Sequence, residues 1–131
     1  MQIQPLVERQ LTELDAARLR KLLAAHPLPD LERLVDEAEV VPGPQVESRV
    51  VTMYTQFELE EAGGSRRVIA ICWPEDAEPA SGFVSVLSPL GCAAIGLPSG
   101  AEVRWQAPGG EARGRIADIL FQPEASGDYL T

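Results

Sequence analysis

Ser88-Pro-Leu-Gly-Cys-Ala-Ala-Ile-Gly96, continued by Leu97-Pro-Ser-Gly-Ala-Glu-Val-Arg-Trp105, decides the fold of the C-terminal part of this chain. Ser88 can cap a helix, Pro89 suits its first position, and the stretch LGCAAIGL is short and apolar. Pro98-Ser99-Gly100 then turns the chain into the strand AEVRWQA. Downstream, Gly109-Gly110 makes a second turn into ARGRIADILFQ, a further strand. Upstream, FVSVL after Gly82 and the apolar run Arg67 to Trp73, stopped by Pro74, read as two more strands. The β-branched and aromatic run RVVTMYTQFELEE, closed by Gly63-Gly64, reads as the first. Residues 44–131 are therefore expected to form an antiparallel β-sheet domain with one short helix.

Before Pro44 the texture is helical. LTELDAARLRKLLAA, residues 11–25, consists of strong helix formers, with Thr12 as cap and Asp15 as a weak capping-box partner. Leu14, Ala17 or Arg18, and Leu22 define a stripe that Leu19 and Leu23 widen. His26-Pro27-Leu28-Pro29 stops that helix, and Pro29 opens a second one with Leu31, Leu34, Val35, Ala38 and Val41 on one side. Two helices with a short connection predict an antiparallel hairpin, a short coiled coil, over residues 1–43. The fold class is α+β, with the helical hairpin as one unit and residues 44–131 as the other.

The chain has 131 residues, one ordinary domain's worth, with 45% hydrophobic content, 20 Asp and Glu and 11 Lys and Arg. A net charge of −9 argues against autonomous binding to nucleic acid, whose affinity comes from cations placed on phosphates. It argues equally against a polybasic membrane anchor. The start MQIQPLVERQ has no leader signature, and no apolar run reaches the roughly 18 residues a bilayer span needs. Cys72 and Cys92 lack a CxxC spacing, and with one histidine in the chain no zinc site is expected. Reduced buried thiols and a cytoplasmic location follow. No cofactor is implied.

Three pieces resemble one family. The Ser88–Trp105 stretch is similar to the "SP-L-x-x-A-L-L-G … G-D-E-V" segment of the Gre transcript-cleavage factors. The ending Phe121-Gln-Pro-Glu-Ala-Ser-Gly-Asp-Tyr-Leu130 resembles the "YQPEAAGDY" terminus of the Rnk-type proteins of the same group, and Val50-Val-Thr-Met53 resembles their "VVTMNS". The resemblance implies an FKBP-like C-terminal domain that docks at the mouth of the RNA polymerase secondary channel, with the hairpin turned towards the channel. For the Rnk type it implies a regulator that competes with Gre factors without cleaving RNA, acts on elongation, and influences nucleoside diphosphate kinase levels indirectly. RNA polymerase is the expected partner and a monomer the expected state.

The residues allow a check. A first helix of 14 residues spans roughly 21 Å, short for reaching deep into a polymerase. At the hairpin tip, Asp30 and Glu32 could join a polymerase-held magnesium, or could simply meet a helix dipole in its first turn. Their i and i+2 spacing turns them to different sides. Leu87, Ser88 and Pro89 are the docking candidates; Gre factors carry Asp-Ser-Pro there, so Leu87 replaces an acid. Arg113 and Arg115 share one face of the last strand and are further contact candidates, whereas Trp73 and Trp105 read as packing residues. The tail from Pro123 is expected to close the sheet, with Tyr129 and Leu130 available for burial. Two other functions compete: a cleavage factor proper, and a prolyl isomerase, whose pocket needs an aromatic lining that 5% aromatic content hardly supplies.

Overall fold

The structure, a computed structural model, describes residues 8–130. Residues 1–7, on which most of the leader reading falls, and Thr131 lie outside the described residues.

A short strand β1 (Gln10–Thr12) leads into helix α1 (Glu13–Ala25), and helix α2 (Pro29–Glu37) leads into β2 (Glu39–Val41). Thr12 caps α1 as expected, its Oγ1 accepting from the Asp15 N–H at 3.0 Å. The apolar stripe is rotated from the expected one. Ala16, Leu19 and Leu23 are buried, Leu14 and Leu22 are half-buried, and Ala17 and Arg18 face solvent. Helix α2 buries Leu31 and Val35, packs on α1 and ends at Glu37, sooner than the apolar spacing predicts. The reason is a competing partner: β1 pairs in parallel with β2, matching Leu11 to Val40. β-branched Val40 and Val41 before Pro42 favour that extended state.

The main sheet has five strands in the order β5 (Phe83–Ser85), β4 (Arg66–Cys72), β3 (Gln56–Glu61), β7 (Gly110–Phe121), β6 (Glu102–Ala107). The hairpins β3–β4 and β6–β7 and the β3–β7 pairing are antiparallel. β5 departs from the expected antiparallel pattern and runs parallel to β4. The polar segment between them contains two 3-10 turns, Pro74–Asp76 and Pro79–Ser81, and carries the chain back to the start of the sheet. A second departure concerns the first predicted strand, which is regular only from Gln56. Residues 50–55 instead form a buried loop in which Thr52 and Thr55 bond one another, local hydroxyl chemistry that competes with a ladder. Helix α3 (Pro89–Ala94) is short, as expected, and lies against β5 and β6.

One hydrophobic cluster runs through the molecule. Leu19, Leu31 and Val35 belong to it together with Met53, Phe57, Ile71, Ile95 and Ile116, so the helices and the sheet share a core across position 43. Such a core positions everything on its surface, because close-packed interiors do not deform continuously.

Candidate functional site

The predicted docking turn follows β5. The Ser88 hydroxyl donates to the Ser85 carbonyl at 2.6 Å and accepts from the Gly91 N–H at 3.1 Å, capping α3. The Leu87 N–H donates to Ser85 Oγ at 3.1 Å. Leu87 is half-buried against the core, Ser88 is half-buried, and Pro89 is exposed. Gly91 has no room for a side chain, since a Cβ there would lie 2.0 Å from the Ser85 carbonyl oxygen. Helix α3 thus sits flush on the end of β5, and the turn is held by side-chain and backbone bonds at once. The position that carries an acid in the resembling motif here presents a partly covered leucine.

Asp30 and Glu32 are both exposed in the first turn of α2. Asp30 Oδ1 lies 3.3 Å from Arg33, an exposed pair of small energetic weight. No cluster of three or more His, Cys, Asp or Glu suited to a metal occurs among the described residues.

Arg113 and Arg115 do share an exposed face, and the sheet register shows what surrounds them. Arg115 stands between Glu60 and Glu102 on the neighbouring strands, and Arg113 stands opposite Arg104. Glu60 receives Arg66 at 2.7 Å and Arg115 at 3.3 Å, and these guanidinium bonds hold its carboxyl below the usual range. Arg104 meets Glu102 at 2.6 Å, and Arg113 lies 3.8 Å from Glu111. The face is a mosaic of paired charges rather than a basic patch. Trp73 and Trp105 are half-buried against the core, as packing residues should be. Cys72 is buried and Cys92 half-buried, both free, and burial pushes both thiols up.

Sequence reading missed two features. The first is Arg9, whose guanidinium donates to the Ala93 and Ile95 carbonyls at 2.9 Å each, satisfying the C-terminal end of α3. Burial lowers its pKa, and its two bonds tie the N-terminal segment to α3. The second is a polar cluster inside the molecule. Thr52 Oγ1 donates to Glu124 at 2.6 Å, the Met53 N–H donates to Asp15 at 3.2 Å, and the Gln122 amide donates to the Glu47 and Val50 carbonyls at 2.8 and 2.9 Å. Asp15 is only 1% exposed, and this burial, opposed by the Met53 bond and reinforced by Glu124, pushes its pKa up to about 7. The two stretches that resemble Rnk-type proteins at opposite ends of the domain are therefore in contact here. Tyr54, just beyond the first of them, adopts the left-handed region at φ 66°, where the Asn of "VVTMNS" is more at ease. The expected closure of the sheet by the tail takes another form: Gln122 and Glu124 bond the loop at residues 47–52 rather than a strand, Tyr129 lies over Gly43 while 44% exposed, and Leu130 is 82% exposed.

Comparison with known proteins agrees with this assembly. The family model for the C-terminal part of the GreA/GreB transcription elongation factors matches residues 46–121. The regulator of nucleoside diphosphate kinase of Escherichia coli (strain K12) is 32% identical over 128 residues, covering 92% of this chain and 94% of that protein. Transcription elongation factor GreA of Chlorobium phaeobacteroides is 31% identical over 112 residues, 84% of this chain and 70% of that one. Among solved structures, a GreA/GreB elongation factor from Nitrosomonas europaea superposes with a TM-score of 0.74 at 30% identity, over 87% of this chain and all of that one. The family model covers more than half of the chain and these relatives match it over most of its length, so the chain belongs to the GreA/GreB family, with the regulator of nucleoside diphosphate kinase among its relatives.

Proposed function

We propose that this chain is a non-catalytic transcription regulator that binds RNA polymerase at the rim of the secondary channel and competes there with Gre-type factors. Residues 44–131, an FKBP-like unit, carry the docking surface, and residues 1–43 supply a short antiparallel hairpin directed at the channel. The observation that carries this reading is the Leu87-Ser88-Pro89 turn, fixed by Ser85 and by the flush seating of Gly91. A preorganised turn loses little entropy on docking. Leu87 supplies apolar contact where the motif's acid would supply a polar one, and Arg113 and Arg115 extend the contact on a separate face. Against cleavage stand the hairpin tip, where Asp30 is tied to Arg33, and the length of α1, 13 residues. The protein acts as a cytoplasmic monomer without cofactor, reaching transcription through the polymerase rather than through nucleic acid, and influences nucleoside diphosphate kinase indirectly.

The test is retention on immobilised core RNA polymerase with and without excess Gre factor. Retention that the competitor displaces is expected, together with weakened retention of Leu87→Asp or Pro89→Ala. Failure to bind, or binding indifferent to the competitor, removes the channel reading. Cleavage of RNA in stalled complexes supplied with magnesium would replace it with a catalytic one.

A further inference from the structure

The distribution of cations singles out one groove. Of the 11 Lys and Arg, eight lie in ion pairs with carboxylates: Arg20, Arg33, Arg49, Arg66, Arg67, Arg104, Arg113 and Arg115. Arg9 is consumed by backbone carbonyls. The two left without an ion pair among the described residues are Arg18 and Lys21, and both line the same groove, of about 530 Å³. In a chain of net charge −9 with nearly two acids for every base, that placement needs a reason.

The groove runs between the exposed side of α1 and the start of the β4–β5 crossover. Arg18, Lys21, Leu22 and His26 form one wall, and Trp73, Pro74 and Glu75 the other. Arg18 commits one N–H to the Leu130 carbonyl at 3.2 Å, which orients a guanidinium that keeps its remaining donors. The cations therefore stand on the α1 wall, and a half-buried indole with a proline beside it stands on the other. A bare phosphate would use the first wall and leave the second wet. A neutral aromatic would do the reverse. An anion with a flat ring uses both, since indole faces stack aromatic rings and fixed cations take phosphate oxygens. The volume lies within the range of roughly 300–1,000 Å³ usual for small-molecule sites.

We propose that this groove binds a nucleoside phosphate, the base stacked on Trp73 and the phosphates held by Arg18 and Lys21, with His26 at the α1 end. The site is distinct from the Leu87–Pro89 turn, and its occupancy does not depend on polymerase binding.

The test uses the full-length chain carrying Trp105→Phe, so that Trp73 is the sole fluorophore of its kind, titrated with ADP and followed in parallel by calorimetry. Saturable quenching by ADP is expected, with adenosine and inorganic pyrophosphate each at least about 10-fold weaker, because each engages one wall only. Lys21→Glu, an exposed change that leaves the core untouched, should weaken ADP by about 10-fold or more, and Lys21→Gln by less, since charge is what the side chain contributes. No saturation by about 5 mM ADP overturns the proposal, as does an affinity indifferent to Lys21→Glu. Pyrophosphate binding as tightly as ADP would reduce the groove to a phosphate site and overturn the stacking role of Trp73. An acidic peptide or a short oligoribonucleotide binding more tightly than ADP would overturn the assignment to a free nucleotide.

Discussion

Glu124 and Glu60 are both carboxylates attached to the sheet, and they are satisfied under opposite conditions. Glu124 is 9% exposed and takes its bond from the Thr52 hydroxyl, which also shares 2.7 Å with Thr55 Oγ1. Asp15 lies close enough to feel its charge. Glu60 stands on the open face between Arg66 and Arg115. The open face has full charge neutralisation, yet solvent and salt take back most of what each pair gains. Among the described residues the buried cluster has no cation in bonding contact, only hydroxyls, the Gln122 amide and backbone N–H groups, and in a drier setting each of those bonds matters more. Beside the shared hydrophobic core, the helix–sheet junction is tied by a few neutral donors, while the Arg–Glu mosaic lies in solvent where each pair contributes little.

The largest effect expected from this contrast comes from Asp15, whose folded-state pKa of about 7 stands above its ordinary 3.8. The folded state binds this proton more tightly than the unfolded chain, so the associated stability is fully present below the unfolded value and disappears as pH rises through the folded one. Relative to Asp15→Asn, which retains an acceptor for the Met53 N–H, the parent should lose ~4 kcal/mol between about pH 4 and pH 8. Parallel pH–stability curves for the two proteins would show that Asp15 is not held protonated.

Next comes Thr52→Val. The substitution keeps the shape but leaves the Glu124 carboxylate without its donor and the Thr55 hydroxyl without its acceptor, at a cost of ~3 kcal/mol. Urea unfolding at neutral pH measures it, and Thr52→Ser should recover most of the loss. A cost below ~1 kcal/mol would mean that the cluster is no tighter than the open face. Smaller again is Thr12→Ala, which removes the α1 cap beside the same cluster and should cost ~1 kcal/mol. Native-state hydrogen exchange should then rise first in the opening turn of α1.

What the sequence made legible divides along the same line. Both caps, Thr12 and Ser88, were readable because a cap is a bond between neighbours three residues apart. Alternation placed Arg113 and Arg115 on one face, but the pairing of Arg115 with Glu60 follows from a strand register with two irregularities that no local pattern announces. The end of α2 was missed because its competitor, β1, lies far back in the chain. The 50–55 loop was missed because β-branched composition favours a strand, while Thr52 and Thr55 spend their hydroxyls on each other and on Glu124, 72 positions away from Thr52. Resemblance marked both motifs as meaningful. Only the fold shows that they touch.

The smallest effect belongs to the open face and sharpens the comparison most. Arg115→Ala removes one of the two guanidinium groups at Glu60, yet Arg66 remains at 2.7 Å and water replaces the rest. The melting temperature should move by less than about 2 °C, and the shift should vanish at high salt. The double substitution Arg113→Ala with Arg115→Ala should be additive within error in stability, because the two arginines address different carboxylates. On immobilised polymerase the same double variant should lose retention out of proportion to its unchanged melting point. A parallel loss of stability and retention would show that the mosaic holds the fold rather than the partner, and would erase the distinction between the two regions.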